Sequence, residues 1–437
     1  MLPYLYLLYG LASLISHDSF LGVFIMEIIA VSAFFYAGYK TIALYCSQKS
    51  ALVLMPVLAM VTLSSLSFYW GGAAEEFCLP LLGWSLYDSL RYFKEEYPNA
   101  PGWKMILLNG IFAGIVMQVK YTMLGYYFAW MAAMALMNFT KKNWKRSLQN
   151  CFVFLGGMVL TFIPWLIYFG YHGALGDWYQ CYVYNNVFLY SDLNSENAGF
   201  VNKIYTLAKI LYNLVWDNFS YFLFIIQGMV FLLLNRNVKW YEKVNVYAMF
   251  GFLFLGTYIG GANIFYYSIP LMTFTAVGVG AAGVLLDKLW GRLQRQKGWI
   301  LTYGIATILC LTGAFGLSMN TDYRKVKKED HFLYKFKETV QQEENPTLLN
   351  VNMLDAGLYT VADIMPTCKF FQTNGIAYDK MDEEQERYIK EGKTMFVISR
   401  FSFPKYILEN YELVAEEEFV TSGSEPSKYY LFKRLSD

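Results

Sequence analysis

Two adjacent carboxylates, Glu75 and Glu76, stand in the segment GGAAEEFCLP, where one apolar stretch ends and the next begins. Acidic side chains are costly to bury in a bilayer and often mark functional sites there. Such a pair could bind a divalent metal, or hold a sugar hydroxyl or an amine. The simpler alternative is a solvated loop, because the dipole of a helix starting at Cys78 favours negative charge at its N-terminus. We take the two glutamates as catalytic candidates and keep the alternative open.

A second group of residues has the chemistry of a phosphate site. Lys120 and Tyr121 end one apolar stretch, and a cation there can bind a phosphate or simply extend to the lipid headgroups. Asn263, Tyr266 and Tyr267 stand in GGANIFYYSIP, where phenol and amide groups could reach a phosphate. An aromatic belt at the membrane interface explains the tyrosines as well.

A third group stands in GALGDWYQCYVYNNVFLYSDLNSENAG, where aromatic rings alternate with carboxylate and amide groups. Aromatic faces with amides suit sugar rings, which present apolar C–H faces and many hydroxyls. Aromatic residues also anchor helices at headgroup depth, and both roles are compatible. The candidates for sugar or acceptor binding are Asp177, Trp178, Tyr182, Asn185 and Asn186.

The composition of the chain indicates that these residues belong to a membrane protein. Of the 437 residues, 56% are hydrophobic and only 16% are charged, whereas a soluble domain carries about a quarter charged residues. The deficit predicts a membrane protein, and a net charge of +1 gives no support for a nucleic-acid partner. The six cysteines have no metal-like spacing and mostly lie in apolar runs, where a thiol behaves as a small hydrophobe; they are Cys46, Cys78, Cys151, Cys181, Cys310 and Cys368.

The length of the apolar stretches predicts the number of membrane spans, because a helix needs about 20 mostly apolar residues to cross roughly 30 Å of hydrocarbon. The stretches are Phe20 to Tyr45, Ala51 to Trp70, Cys78 to Phe93, Trp103 to Tyr121, Thr122 to Phe139, Cys151 to Phe169, Asn218 to Leu234, Val244 to Gly260, Phe265 to Leu286 and Trp299 to Ser318. We expect an α-helical polytopic membrane protein with about 10–11 transmembrane helices over residues 1–318.

Every second loop between these stretches is rich in Lys and Arg, the strongest cluster being Lys141, Lys142, Lys145 and Arg146. Because basic loops stay in the cytoplasm, the segments around Glu75 and from Gly170 to Trp216 are expected on the outer face of the plasma membrane. The C-terminal region is expected on the same side.

The C-terminal region has a different composition. A polar helical connector is predicted at residues 319–345, followed by a small α/β domain at residues 346–437. Predicted strands are LLNVNM at 348–353, CKFFQT at 368–373 and TMFVISR at 394–400, and a hairpin is predicted from Tyr411–Val420 and Lys428–Lys433. Predicted helices are Asp382–Lys393 and Phe403–Asn410. The domain contains no glycine-rich phosphate loop, so we expect support or recognition from it rather than chemistry.

Several segments together carry a family resemblance. They are the acidic loop GGAAEEFCLPLLGWSLY, the glycine-spaced helix GIFAGIVMQVKYTMLG ending in a lysine, the long aromatic loop, the helix start IFYYSIP, and DAGLYTVADIMPTCKFFQTNG in the tail. In this arrangement the sequence resembles the bacterial lipid-linked-sugar glycosyltransferases of the GT-C fold, and it is similar to protein O-mannosyltransferases and aminoarabinose transferases.

The resemblance implies a polyprenyl-phosphate-linked sugar as donor and an extracytoplasmic acceptor, such as an envelope glycan, a lipid or a protein. It implies that an acidic residue orients or deprotonates the acceptor hydroxyl, which attacks the anomeric carbon in line, typically with inversion. Glu75 or Glu76 would match the family's second acidic position. Lys120 with Tyr266 or Tyr267 would stand near the carrier phosphate.

The N-terminus departs from the family pattern. MLPYLYLLYGLASLIS resembles the end of the family's first outer loop, but nothing before it matches the first helix or the catalytic Asp. Asp18 follows this segment, so we do not assign it as the base. Either Met1 to Ser16 forms a short or tilted first helix, or the chain lacks an upstream segment that its activity requires.

Two other classes of protein compete with a glycosyltransferase. A secondary transporter is disfavoured because we see no inverted repeat, no matched pair of broken helices and few charges at mid-membrane depth. A non-catalytic envelope protein would need no outer carboxylates. Binding of a lipid-linked substrate distinguishes the three.

Overall fold

The computed structural model describes residues 3–141, 143–189, 199–293, 298–373, 378–420 and 426–435. The chain forms two compact units. The first, which we call the helical unit, contains Met1–Tyr9 and Phe24–Thr321. The second, which we call the α/β unit, contains Gly10–Val23 and Asp322–Asp437.

Helices account for nearly all regular structure before residue 318. In chain order they are α1 Pro3–Ser13, α2 Leu21–Ala43, α3 Gln48–Leu63, α4 Ala74–Arg91, α5 Trp103–Lys120, α6 Leu124–Thr140, α7 Trp144–Tyr171, α8 Leu175–Trp178, α9 Phe200–Asp217, α10 Phe219–Leu234, α11 Trp240–Tyr258, α12 Thr275–Leu293 and α13 Trp299–Leu317. A 3₁₀ segment, Phe265–Phe274, leads into α12. Each predicted span coincides with one of these helices, and the predicted helical polytopic fold is confirmed.

Five helical stretches of the described residues are long and apolar enough to cross a membrane by length and composition: Leu21–Ala43, Trp103–Thr140, Trp144–Tyr171, Phe265–Gly291 and Trp299–Leu317. A sixth results if α9 and α10, which are bent by 113° at their junction, are counted as one span. Apolar side chains such as Leu301 and Ile308 of α13 are exposed, as a lipid-facing surface requires. The chain is a multi-pass membrane protein.

The predicted spans Trp103 to Tyr121 and Thr122 to Phe139 form α5 and α6, and both helices pack on α4. The amide of Asn109 on α5 donates to Asp88 Oδ2 at 3.0 Å, and the hydroxyl of Tyr126 on α6 donates to the Leu82 carbonyl at 2.7 Å. Farther along, Asn138 donates to the Tyr92 hydroxyl at 3.3 Å. The α4 helix therefore runs parallel to α6 and antiparallel to α5, which brings its N-terminal end to the C-terminal end of α5.

Helix α9 lies in the stretch from Gly170 to Trp216, which the sequence predicts to be an outer loop, so that prediction is wrong for Phe200–Asp217. Its apolar residues recur with helical spacing, while Lys203 and Lys209 interrupt them, so no 20-residue apolar window arises. The 3.6-residue periodicity was the signal that could have found it. Residues 190–198 of this stretch, including Tyr190, lie outside the described residues.

The α/β unit has a four-stranded sheet in the order β1-β2-β4-β3, formed by β1 Leu348–Val351, β2 Phe396–Arg400, β3 Tyr411–Phe419 and β4 Ser427–Arg434. Strands β1 and β2 are parallel, and β4 is antiparallel to β2 and β3. The small α/β fold and the closing hairpin are confirmed.

The predicted strand CKFFQT at 368–373 is wrong. The segment is irregular and is joined to β1 by a hydrogen bond from Asn350 N to the Phe371 carbonyl at 3.0 Å, and to the residues after β1 by one from Thr373 N to the Met353 carbonyl at 3.1 Å. Two separated hydrogen bonds do not form the ladder of a β-strand, although the alternation of side chains in this segment is typical of one.

Short helices cover this sheet. They are α14 Phe332–Val340, α15 Leu358–Ala362 and α16 Asp379–Lys390. The prediction for α16 is shifted by three residues, and the predicted helix Phe403–Asn410 is only a 3₁₀ segment, Lys405–Glu409. Phe332 of α14 stacks on Tyr429 of β4 with ring centroids 3.8 Å apart, which fixes this helix on the sheet.

Candidate active site

An acid–lysine pair lies where the N-terminal end of α4 meets the C-terminal end of α5. The Nζ of Lys120 lies 2.9 Å from Oε1 of Glu75. The Glu75 side chain is 1% exposed and that of Lys120 is 21% exposed, so the pair is buried on the carboxylate side and open on the ammonium side. An isolated carboxylate buried to this degree would be strongly destabilising, and the lysine supplies the compensating charge.

Two tyrosines from the start of the Phe265–Phe274 segment complete the surroundings of the lysine. The Lys120 Nζ lies 4.0 Å from the centroid of the Tyr267 ring and 5.8 Å from that of Tyr266. The rings attract the ammonium through their quadrupoles and hold it over the acid. The structure thus brings together Glu75, Lys120, Tyr266 and Tyr267, which the sequence places in three distant segments. We call these four residues the acid–lysine cluster.

Buried polar atoms near this cluster lack hydrogen-bond partners among the described residues. Oε2 of Glu75 is one, and the hydroxyl of Tyr258 at the end of α11 is another. Tyr258 is fully buried and lies within electrostatic range of Glu75 and Tyr267. Buried polar groups are normally hydrogen-bonded, so these atoms fit a site that receives a polar ligand. Sequence analysis missed Tyr258, because one tyrosine in an apolar helix has no distinguishing pattern.

Glu76 faces a different set of partners. Its Oε1 accepts a hydrogen bond from Ala73 N at 3.2 Å. The Gly72 amide also donates to Glu27, and the Tyr9 hydroxyl donates to the Gly72 carbonyl at 2.5 Å. Glu76 therefore caps α4, but the solvated loop of the alternative interpretation is wrong, because Glu76 is 1% exposed and α4 begins at Ala74 rather than at Cys78.

Sequence analysis missed Glu27 and Tyr9. Glu27 is the one acidic residue in the helix Leu21–Ala43, and an ionisable residue inside an apolar span is by default a functional candidate. That signal was available. Asp18, the acidic residue considered instead, lies 3.5 Å from Lys337 within the α/β unit.

The aromatic segment is attached to the end of α5. The hydroxyl of Tyr121 donates to the Asn186 carbonyl at 3.1 Å, and the hydroxyl of Tyr182 donates to the Met117 carbonyl. Trp178 stacks on Tyr182 with centroids 5.8 Å apart. These contacts join the four predicted residues to the C-terminal end of α5, the end that carries Lys120.

The remaining predicted residues are more peripheral. The Asn185 side chain accepts a hydrogen bond from Gln180 at 2.9 Å within its own helical segment. Asp177 and Asn263 are exposed, the latter in the loop before the Phe265–Phe274 segment. Within the described residues, no group of three or more His, Cys, Asp or Glu side chains has a geometry that could hold a metal ion.

No protein-family model matches the sequence, and no curated protein does. Solved structures do match. ArnT from Cupriavidus metallidurans, crystallised bound to undecaprenyl phosphate, superposes with a TM-score of 0.58 at 10% identity, over 98% of this chain and 87% of that chain.

A second structure, the oligosaccharyltransferase AglB from Archaeoglobus fulgidus in complex with an inhibitory peptide and a dolichol-phosphate, superposes with a TM-score of 0.43 at 12% identity. It covers 86% of this chain and 58% of that chain. This similarity is too low to carry an argument. The first comparison shows that the chain has a GT-C-like fold.

Proposed function

We propose that this protein is a membrane glycosyltransferase that moves a sugar from a polyprenyl-phosphate carrier to an acceptor on the outer face of the membrane. The observation that carries this proposal is the acid–lysine cluster at the meeting point of α4 and α5. Its ammonium is the exposed part and its carboxylate is buried. An anionic group approaching from outside therefore meets the lysine first.

The charges support a phosphate ligand. A carrier phosphate would bind the Lys120 ammonium, while the tyrosine rings hold that ammonium in place. The GT-C-like fold adds a reason to expect a lipid carrier, since ArnT of the same fold was crystallised with undecaprenyl phosphate. The unpartnered Glu75 Oε2 and Tyr258 hydroxyl would receive hydroxyls of the sugar.

The reaction would be a substitution at the anomeric carbon. The acceptor oxygen forms a bond to that carbon, the bond from the carbon to the phosphate oxygen breaks, and polyprenyl phosphate leaves with its electron pair. Lys120 stabilises the charge that develops on the departing phosphate. A carboxylate of the site takes the proton of the acceptor hydroxyl. The sugar would be a hexose or a pentose, and the aromatic segment with Trp178 and Tyr182 would form its outer contact.

Binding of undecaprenyl phosphate to the purified protein in nanodiscs tests the proposal. A hydrogen bond to a charged group is worth about 1.5–3 kcal/mol, so Lys120→Ala should weaken binding roughly tenfold to hundredfold. Lys203→Ala removes an exposed lysine of α9 and should leave the affinity unchanged. Native mass spectrometry of both variants measures the difference.

Release of undecaprenyl phosphate from a panel of undecaprenyl-phosphate-linked sugars tests the chemistry. The wild type should release it from at least one donor when membrane acceptors are present. Equal binding by the Lys120 and Lys203 variants, or no binding by the wild type, would contradict the proposal. Movement of the intact donor across a proteoliposome without release of the carrier would support a transporter instead.

A further inference from the structure

Three connecting segments of the helical unit are joined by hydrogen bonds between buried polar side chains. Asn218 separates α9 from α10, where the two helices are bent by 113°. Its Oδ1 accepts one hydrogen bond from Ser65 Oγ at 2.7 Å and another from Ser67 Oγ at 2.8 Å. Ser67 Oγ lies 2.5 Å from Ser268 Oγ. All four side chains are buried, and we call these residues the serine–asparagine network.

The serine–asparagine network adjoins both walls of the acid–lysine cluster along the chain. Ser67 lies in the connection from α3 to α4, and Glu75 stands in the first turn of α4. Ser268 directly follows Tyr267, whose ring centroid lies 4.0 Å from Lys120 Nζ. Because neighbouring residues share a peptide bond, a displacement of Ser268 moves the Tyr267 ring as well.

The Phe265–Phe274 segment depends on support from outside its own backbone. It is a 3₁₀ helix of 10 residues that contains Pro270. The hydrogen bonds of a 3₁₀ helix have poor geometry, so such helices are usually much shorter, and proline lacks a donor. Side chains of other elements supply further bonds, because the Tyr221 hydroxyl of α10 donates to the Ser268 carbonyl at 3.4 Å and Ser67 bonds the Ser268 hydroxyl.

The amide oxygen of Asn218 sets the direction of these bonds. Each serine hydroxyl has one hydrogen to donate. Ser65 and Ser67 give theirs to Asn218 Oδ1, so the hydroxyl of Ser268 is the donor in its bond to Ser67. Without the amide oxygen, two buried hydroxyls lose their acceptor and the orientation of Ser67 toward Ser268 is no longer fixed.

We propose that Asn218 is a positioning residue for binding of the carrier phosphate. Through Ser67 and Ser268 it fixes the Phe265–Phe274 segment, and the Tyr267 ring in turn holds the Lys120 ammonium where the phosphate binds. Asn218 itself lies outside the acid–lysine cluster. This inference rests on the proposed function, because that proposal makes Lys120 the ligand of the phosphate.

The affinity of variants for undecaprenyl phosphate, measured by native mass spectrometry in nanodiscs, tests this role. Asn218→Leu has a similar volume and no acceptor. The attraction of an ammonium to an aromatic ring corresponds to about twofold to thirtyfold in affinity, so this variant should bind the carrier more weakly by a factor in that range. Asn218→Asp retains acceptor oxygens for both serines and should recover most of the affinity.

Asn245→Leu is the matched control for a merely structural effect. Asn245 is a buried asparagine of α11 whose amide donates to Ser89 Oγ at 3.0 Å, near the other end of α4. Its replacement also breaks a buried hydrogen bond and should lower the melting temperature, but it should leave the affinity for undecaprenyl phosphate unchanged. Equal losses of affinity in Asn218→Leu and Asn245→Leu would contradict the positioning role.

A double-mutant cycle with Tyr267→Leu tests whether Asn218 acts through the ring. Once the ring is absent, Asn218→Leu should cause little further loss of affinity, because the two changes remove the same interaction. The same fold loss in both backgrounds would overturn the proposal. If Asn218→Leu does not fold, Ser268→Ala takes its place in the cycle, since it removes the hydroxyl that bonds Ser67 and keeps the Cβ.

The outcomes separate this inference from the proposed function. A wild type that does not bind undecaprenyl phosphate removes both. If Lys120→Ala loses affinity while Asn218→Leu and Ser268→Ala bind within about twofold of the wild type, the proposed function stands and the role of Asn218 is refuted.

Discussion

At the residue scale, His331 caps helix α14 through an imidazole that must remain neutral. Its Nδ1 accepts a hydrogen bond from Leu333 N at 3.3 Å. Burial lowers the pKa of His331 below its usual value of 6.5. The pKa of His331 is lower in the folded state than in the unfolded state. The contribution of the neutral His331 cap to the free energy of unfolding is therefore complete above about pH 6.5 and is lost as pH falls toward the folded-state pKa. We therefore expect α14 to lose protection from hydrogen exchange between about pH 7.5 and 5.5.

Hydrogen exchange by mass spectrometry, corrected for the intrinsic rate at each pH, measures this loss in the full chain. In His331→Asn the amide oxygen can cap the helix without titrating, so the protection of α14 should no longer depend on pH in this range. A wild type whose α14 protection is the same at both pH values would contradict the prediction.

At the scale of the elements, glycines allow α10 and α12 to pack closely. A Cβ built on Gly278 of α12 would overlap the backbone carbonyl of Phe224 on α10, and one built on Gly228 would lie 2.7 Å from Gly278 N. A backbone carbonyl cannot move aside like a flexible side chain, so Gly278→Ala should force the helices apart and cost about 1–3 kcal/mol. A thermal unfolding assay in detergent should show a lower melting temperature.

Gly251→Ala is the matched control in α11, because a Cβ there meets nothing within 4 Å. This variant should melt at or slightly above the wild-type temperature, since alanine is the better helix former. If both variants melted alike, close packing of α10 on α12 would not be needed for stability.

At the scale of the whole molecule, the basic loops predict the orientation in the membrane. Lys145 follows α6 in the strongest basic cluster, and Glu383 lies on α16 of the α/β unit. In a variant without native cysteines, a membrane-impermeant maleimide should label Glu383→Cys in intact cells, but Lys145→Cys only after permeabilisation. Labelling of Lys145→Cys in intact cells would show that the orientation is the reverse of the expected one.

Properties of single segments were readable from the sequence. Hydropathy depends on the transfer free energy of each stretch by itself, so the apolar helices were predicted without knowledge of their neighbours, whereas α9, which two lysines interrupt, was not. The hairpin β3–β4 was predicted for the same reason, because its pairing is local. The irregular segment 368–373 was mispredicted, because whether alternating residues form a strand depends on a partner from elsewhere in the chain.

A polytopic helical protein with a small α/β unit follows from the hydropathy pattern alone, and residue type and position mark Glu75, Lys120 and Tyr267 as candidate functional groups at the outer ends of the spans. The pairing of Glu75 with Lys120, the position of the Tyr267 ring against the ammonium and the hydrogen bond from the Gly72 amide to Glu27 depend on the packing of the helices. The physical reason is that hydrophobic patterning fixes which segments form helices, while the direction and rotation of each helix against its neighbours depend on packing between residues far apart in the chain.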